Sequence, residues 1–177
     1  MTDQVREKAV HAVDILNDFI GDLIGGTNLL RHWVGEVQAG RCPQSTMLNV
    51  QKICVSHLVL TLCKFVEFYN QFKQVIPQEH QNRCKALVGE INRKGVVKFR
   101  HKCVGHIWDE DQDRPLIHSE IMTRLARLTD GDMPGFLNWI NNPKTNEFPF
   151  TVVSVVETVR DALMSEYSIS PDEIIHR

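Results

Sequence analysis

Residues 45–72 read STMLNVQKICVSHLVLTLCKFVEFYNQF, the longest periodic run in the chain, and Pro77 lies just beyond it. Leu48, Val50, Ile53, Val55, Leu58, Leu62, Phe65, Val66 and Phe72 recur at helical spacing and cover most of a helical wheel. The run therefore predicts a central, largely enclosed helix, opened by Ser45 or Thr46. A helix enclosed on most sides needs other helices around it, and the flanking sequence supplies them.

Upstream, Val5, Ala9, Ala12, Val13, Leu16, Phe19 and Ile20 predict a helix from Val5 to Gly21. Gly25 and Gly26 are expected to break it. Thr27 or Asn28 then caps a short helix carrying Leu29, Leu30, Trp33, Val34 and Val37, which Gly40 and Pro43 close. Downstream, a polar helix runs from Gln78 through Cys84, Leu87, Val88 and Ile91 to Gly95, and a second apolar arc follows it. Asp109 to Pro115 reads as an acidic loop and Ile117 to Thr129 as a helix. Asp132 is a cap ahead of Pro134, Asn141-Asn142-Pro143 ends that helix, and Asn146 to Phe150 is extended. Thr151 to Tyr167 closes the series, with a strand over 150–156 as the competing reading because Val152, Val153, Val155 and Val156 are β-branched. The expected architecture is all-α: a single-domain bundle of five to seven helices over residues 1–167, with a mobile tail at 168–177.

Composition agrees with one globular domain: 177 residues, 42% hydrophobic and 24% charged. A net charge of -2 gives no general attraction to nucleic acid, so such binding would rest on a local patch. Five cysteines without a Cys-x-x-Cys pair suggest neither a disulfide framework nor a zinc knuckle, and fit thiols of a reducing cytosol. The first residues lack the apolar run of a signal peptide, and no segment approaches about 20 uninterrupted apolar residues. The expectation is a cytoplasmic protein without a membrane partner.

The chemistry concentrates in residues 99–109, FRHKCVGHIWD. On a helical wheel, Val96, Val97, Phe99, Cys103, Val104, Ile107 and Trp108 form one apolar arc with Arg100 near its middle, and His101 and His106 at its edges. A guanidinium there must meet an anion, lie at a subunit interface or line a pocket, because burial without a partner is prohibitively costly. Arg93, Lys94, Lys98, Arg100, His101 and Lys102 form the local basic patch. An arginine with histidines suits phosphodiester cleavage: the guanidinium holds phosphate oxygens, and the imidazole moves a proton near neutrality. With the 2′-hydroxyl of RNA as nucleophile, no metal is required. Arg100 and His106 lie about 120° apart on one helix, so two copies meeting across a two-fold axis would converge better on one phosphate.

Arg100, the polar His101 and His106 match the Arg-polar-x(3 to 5)-His signature of the HEPN superfamily, in the form Arg-His-x4-His. The surrounding string resembles the branch associated with phage abortive infection, with Gly105 at the usual small alanine. The resemblance implies a helical bundle that dimerises through the Arg100–His106 helix and cuts RNA without a metal or cofactor, as a toxin or defence protein, with an antitoxin as a further partner. It assigns Arg100 to the scissile phosphate, His106 to general acid or base, and His101 to substrate orientation. Charge and proximity add Lys98 and Lys102 as substrate contacts. The alternative is a catalytically inactive HEPN-like module that binds nucleotide or protein. A purely structural reading would instead place Arg100 in an ion pair with an acid from another helix. Two weaker readings are a metal set of His101, His106, Asp109 and His118, and a Cys103–His106 nucleophile pair.

Overall fold

Two long helices joined by a short turn form the spine: α1 (Asp3–Gln38, 36 residues) and α2 (Gln44–Phe72, 29 residues). Their contacts show an antiparallel pair. Phe19 meets Phe68 edge to face, Thr61 Oγ1 donates to Asp22 Oδ2 (3.2 Å), and Gly26 lies against Leu58, so residue numbers fall on one helix as they rise on the other. The computed structural model describes residues 3–104, 108–109 and 113–175.

The expected break at Gly25-Gly26 is absent, because the glycines serve packing. Gly26 is buried, and a Cβ there would lie 2.9 Å from Leu58 Cδ2. Its missing side chain lets α2 approach, and the helix continues. Thr27 is satisfied in place, its Oγ1 donating to Leu23 O (2.8 Å) and accepting from Asn141 Nδ2 (3.2 Å).

In α2 the buried face begins at Cys54 and includes Val55, Leu58, Val59, Leu62, Phe65 and Phe68. Enclosure is narrower than the sequence pattern predicts: Leu48, Ile53 and Leu60 are 47%, 67% and 37% exposed. By length and composition alone α2 is long and apolar enough to cross a membrane. In this fold it is a core helix, with nine residues buried among its neighbours.

The remaining helices pack around this pair. They are α3 (Gln78–Arg93), α4 (Val96–Phe99), α5 (His118–Leu128), α6 (Met133–Ile140), α7 (Val152–Glu166) and α8 (Asp172–Ile175). Six of the eight have eight or more residues among those described, within the expected bundle. α7 lies along α1, and α3 against α2. Leu16, Leu30, Leu58, Leu62, Phe65, Leu87, Ile91, Ile140 and Leu163 fill the centre. Asp132 caps α6 as expected, accepting from Gly135 N–H (2.9 Å). The valine-rich segment after Phe150 is helix and no strand. Thr151 Oγ1 caps it by accepting from Ser154 N–H (3.0 Å), and Val152, Val153, Val155 and Val156 are all fully buried. Tertiary burial overrides β propensity there. Within the segment Asn146 to Phe150, expected to be extended, Phe148 to Phe150 forms a turn, closed by Phe150 N–H to Glu147 O (2.9 Å).

Residues 168–175, within the tail expected to be mobile, fold back on α1. Ile169 is buried, and Arg6 Nη2 donates to both oxygens of Glu173 (2.9 and 2.8 Å). Ser170 N–H and Arg6 hold the Glu173 carboxyl below its ordinary value.

Candidate functional site

Gly95 ends α3 with φ +76°, a left-handed conformation that favours glycine. It sends the chain into α4, anchored by buried Val96 and Phe99. The helix then widens to a π turn over Arg100–Val104, on the segment that carries the sequence motif. Such turns recur at functional sites, because the wider ring displaces side chains from the α-helical pattern. The wheel built from sequence assumed an unbroken α-helix as far as Trp108. Instead, Trp108–Asp109 (β1) pairs antiparallel with Arg114–Pro115 (β2), so a small hairpin stands where helix end and acidic loop were expected. Arg114 ties this hairpin to α5, donating to Glu120 Oε2 (3.1 Å) and Oε1 (2.5 Å), and that pairing lowers the Glu120 pKa.

Arg100 is half-buried and faces the α2 side of the turn, close enough to Cys63 to oppose the upward pKa shift that burial imposes on that thiol. Among the described residues, Arg100 has no carboxylate partner. The interhelical ion pair of the structural reading is therefore not formed by them. His101 is exposed. His106 lies outside the described residues, so the structure says nothing of its distance from Arg100.

On another side of the same segment, Lys94, Lys98, Lys102, Arg124 and Arg127 line a pocket of about 280 Å³, with Gly95, Phe99 and Leu128 completing the wall. Lys94 follows the end of α3, Lys98 lies in α4 and Lys102 in the π turn, whereas Arg124 and Arg127, three apart on α5, share a helix face. No acidic residue is in the lining among the described residues. Several groups hold the walls in place. Lys94 Nζ lies 5.3 Å from the centroid of the Trp139 ring and 3.5 Å from Asp130 Oδ2. Trp139 Nε1 donates to Glu90 Oε2 (3.2 Å), and Arg83 Nη1 donates to Glu90 Oε1 (2.8 Å). Arg124 Nη1 reaches Lys102 O (3.5 Å) and Cys103 Sγ (3.9 Å), linking α5 to the π turn.

Lys98 and Lys102, expected as substrate contacts, thus line one pocket, whereas Arg100 and His101 are not in its lining. Arg124 and Arg127 were not anticipated. Their i, i+3 spacing is visible in sequence, but only the packing of α5 on α4 brings them opposite the lysines. Chemically, such a wall binds anions: lysines act as point charges, and arginines offer planar forks to phosphate oxygens.

No family model matches the sequence, and no curated protein matches it. The fold is similar to the solved structure of integron cassette protein Vpc_cass2, from the mobile metagenome of V. paracholerae. The TM-score is 0.76 at 25% sequence identity, over 92% of this chain and 98% of that chain.

Proposed function

We propose that the protein is a metal-independent endoribonuclease of toxin or phage-defence type, acting as a dimer across the Arg100 segment. The observation that carries this reading is the half-buried Arg100, set in a π turn without a carboxylate partner among the described residues. A guanidinium kept for architecture would be expected to hold an acid, whereas one kept for a substrate needs its donors available to an anion.

In this reading Arg100 holds the scissile phosphate and stabilises the charge that builds on it. One His106 takes the proton of the 2′-hydroxyl, whose oxygen bonds to phosphorus. The phosphorus to 5′-oxygen bond breaks, and the partner copy's imidazolium protonates the leaving oxygen. The products are a 2′,3′-cyclic phosphate and a 5′-hydroxyl. His101 orients the strand, and Lys98 and Lys102 hold neighbouring phosphates. All five cysteines are described and none is in a disulfide, which suits a reducing cytoplasm. The similar solved protein comes from a mobile integron cassette, a setting that suits a defence gene.

A second reading, an HEPN-like nucleotide-binding module without turnover, is favoured by the position of the cationic pocket, whose lining does not include Arg100. Cleavage of total RNA in EDTA by wild type, Arg100→Ala and His106→Ala, with sizing chromatography on each, separates the two. Wild type is expected to elute as a dimer and leave cyclic-phosphate ends, and His106→Ala to lose about 10²–10⁴-fold in rate as an equally folded dimer. A wild-type dimer that cuts no RNA overturns the nuclease reading.

A further inference from the structure

The pocket between α4, the π turn and α5 is more positive than a single backbone phosphate requires. Five cationic side chains surround about 280 Å³, and the wall includes Phe99 (8% exposed) and Leu128 (2% exposed). Apolar atoms beneath the charges reduce screening and strengthen attraction to whatever anion enters. An RNA strand brings one negative charge per nucleotide, whereas a terminal phosphate carries up to about two and adjacent phosphates carry more. A concavity lined by several cationic side chains favours an occupant whose negative charge is clustered.

Placement of the side chains agrees. Lys94 comes from the end of α3, Lys98 from α4 and Lys102 from the π turn, so three consecutive segments each bring one donor to the pocket. Arg124 and Arg127 face them from α5, where planar guanidinium forks can each take two oxygens. Lys94 is positioned by the Trp139 ring and by Asp130, an exposed acid that is not in the lining.

From this we infer that the pocket is an oligophosphate site, taking a chain of adjacent phosphates such as that of a nucleoside triphosphate or the 5′-triphosphate end of an RNA. The inference shares Lys98 and Lys102 with the nuclease reading but uses neither Arg100 nor His106. It assigns ligand contacts to Lys94, Arg124 and Arg127, and adds a second anion site beside the Arg100 segment. The Arg124 bond to the Lys102 carbonyl places that site in direct contact with the π turn.

Isothermal titration of the full chain with inorganic tripolyphosphate, orthophosphate and sulfate tests it. Tripolyphosphate is expected to bind about tenfold or more tighter than orthophosphate, and Lys98→Glu and Arg127→Glu each to weaken it about tenfold or more. Both residues are exposed, so circular dichroism can establish that the variants stay folded. Titration with ATP, and with one RNA carrying either a 5′-triphosphate or a 5′-hydroxyl, identifies the source. ATP binding as tightly as tripolyphosphate assigns a free nucleotide, and a preference for the triphosphorylated RNA assigns the RNA end. Arg100→Ala should keep tripolyphosphate affinity, so loss of cleavage and loss of this site are separable results. Equal affinity for tripolyphosphate and sulfate, or full tripolyphosphate affinity in Arg127→Glu, overturns the inference.

Discussion

Gly25 and Gly26 are neighbours with opposite roles. A methyl group at Gly25 would meet nothing within 4 Å, while one at Gly26 would press on Leu58, itself fully buried with little room to move. Gly25→Ala is therefore expected to stabilise the fold by about 0.5–1 kcal/mol through helix propensity. Gly26→Val should destabilise it by about 1–3 kcal/mol through overpacking. Thermal melts check both, since each kcal/mol moves the midpoint by about 2–4 °C for a chain of this size. This pair also marks a limit of sequence reading. Two adjacent glycines look like a helix break when only local propensity is weighed, and the contact that keeps Gly26 inside the helix belongs to another element. Arg100 has a similar history. Its place on an apolar arc was legible, but which groups it meets depended on the widening of the turn. Lys98 and Lys102 were legible because neighbouring charges stand together in the chain, and Arg124 and Arg127 were not because their link to those lysines is tertiary.

Among the elements, α6 was read with its cap, whereas the caps expected at Ser45 or Thr46 and at Thr27 or Asn28 are not formed: α2 begins at Gln44 after Pro43, and α1 runs through Thr27. Asp132 before α6 caps as the sequence suggests, and Thr151, expected as the first residue of α7, is its cap instead; each accepts a hydrogen bond from a backbone N–H three residues on. Thr151 is buried and also donates to Asn146 Oδ1 (2.5 Å), so its hydroxyl joins the incoming loop to α7. Thr151→Ala is expected to cost about 1–2 kcal/mol, while Thr151→Ser should retain most of the stability. Chemical denaturation of the two variants checks this. A loss shared equally by both would mean that the methyl group, and not the hydroxyl, matters. The least readable element was the motif helix. A wheel at fixed angular spacing has no means of showing a π turn, and the hairpin of Trp108–Asp109 with Arg114–Pro115 is too short to show alternation.

In the whole molecule, α1 spans about 54 Å at the usual rise per residue and touches α2, α6, α7 and α8. The last described residues lie on the first helix through Arg6 and Glu173. Most of the bundle therefore packs on α1 directly, or through α2 and α7. Far-UV circular dichroism and tryptophan fluorescence are accordingly expected to report one coincident thermal transition, and separated midpoints would show α5 and α6 melting apart from the spine. The π turn has its own consequence for the whole molecule, best counted in codons. A ring closed from residue i to i+5 holds one residue more than an α-helical ring. Deleting the His101 codon would return the segment to ordinary spacing and carry everything after it about 100° around the axis. The arrangement that places Arg100 beside α2 and Lys102 in the basic pocket therefore lies a single in-frame insertion or deletion away from a plain helix, a shorter step than any route through substitutions.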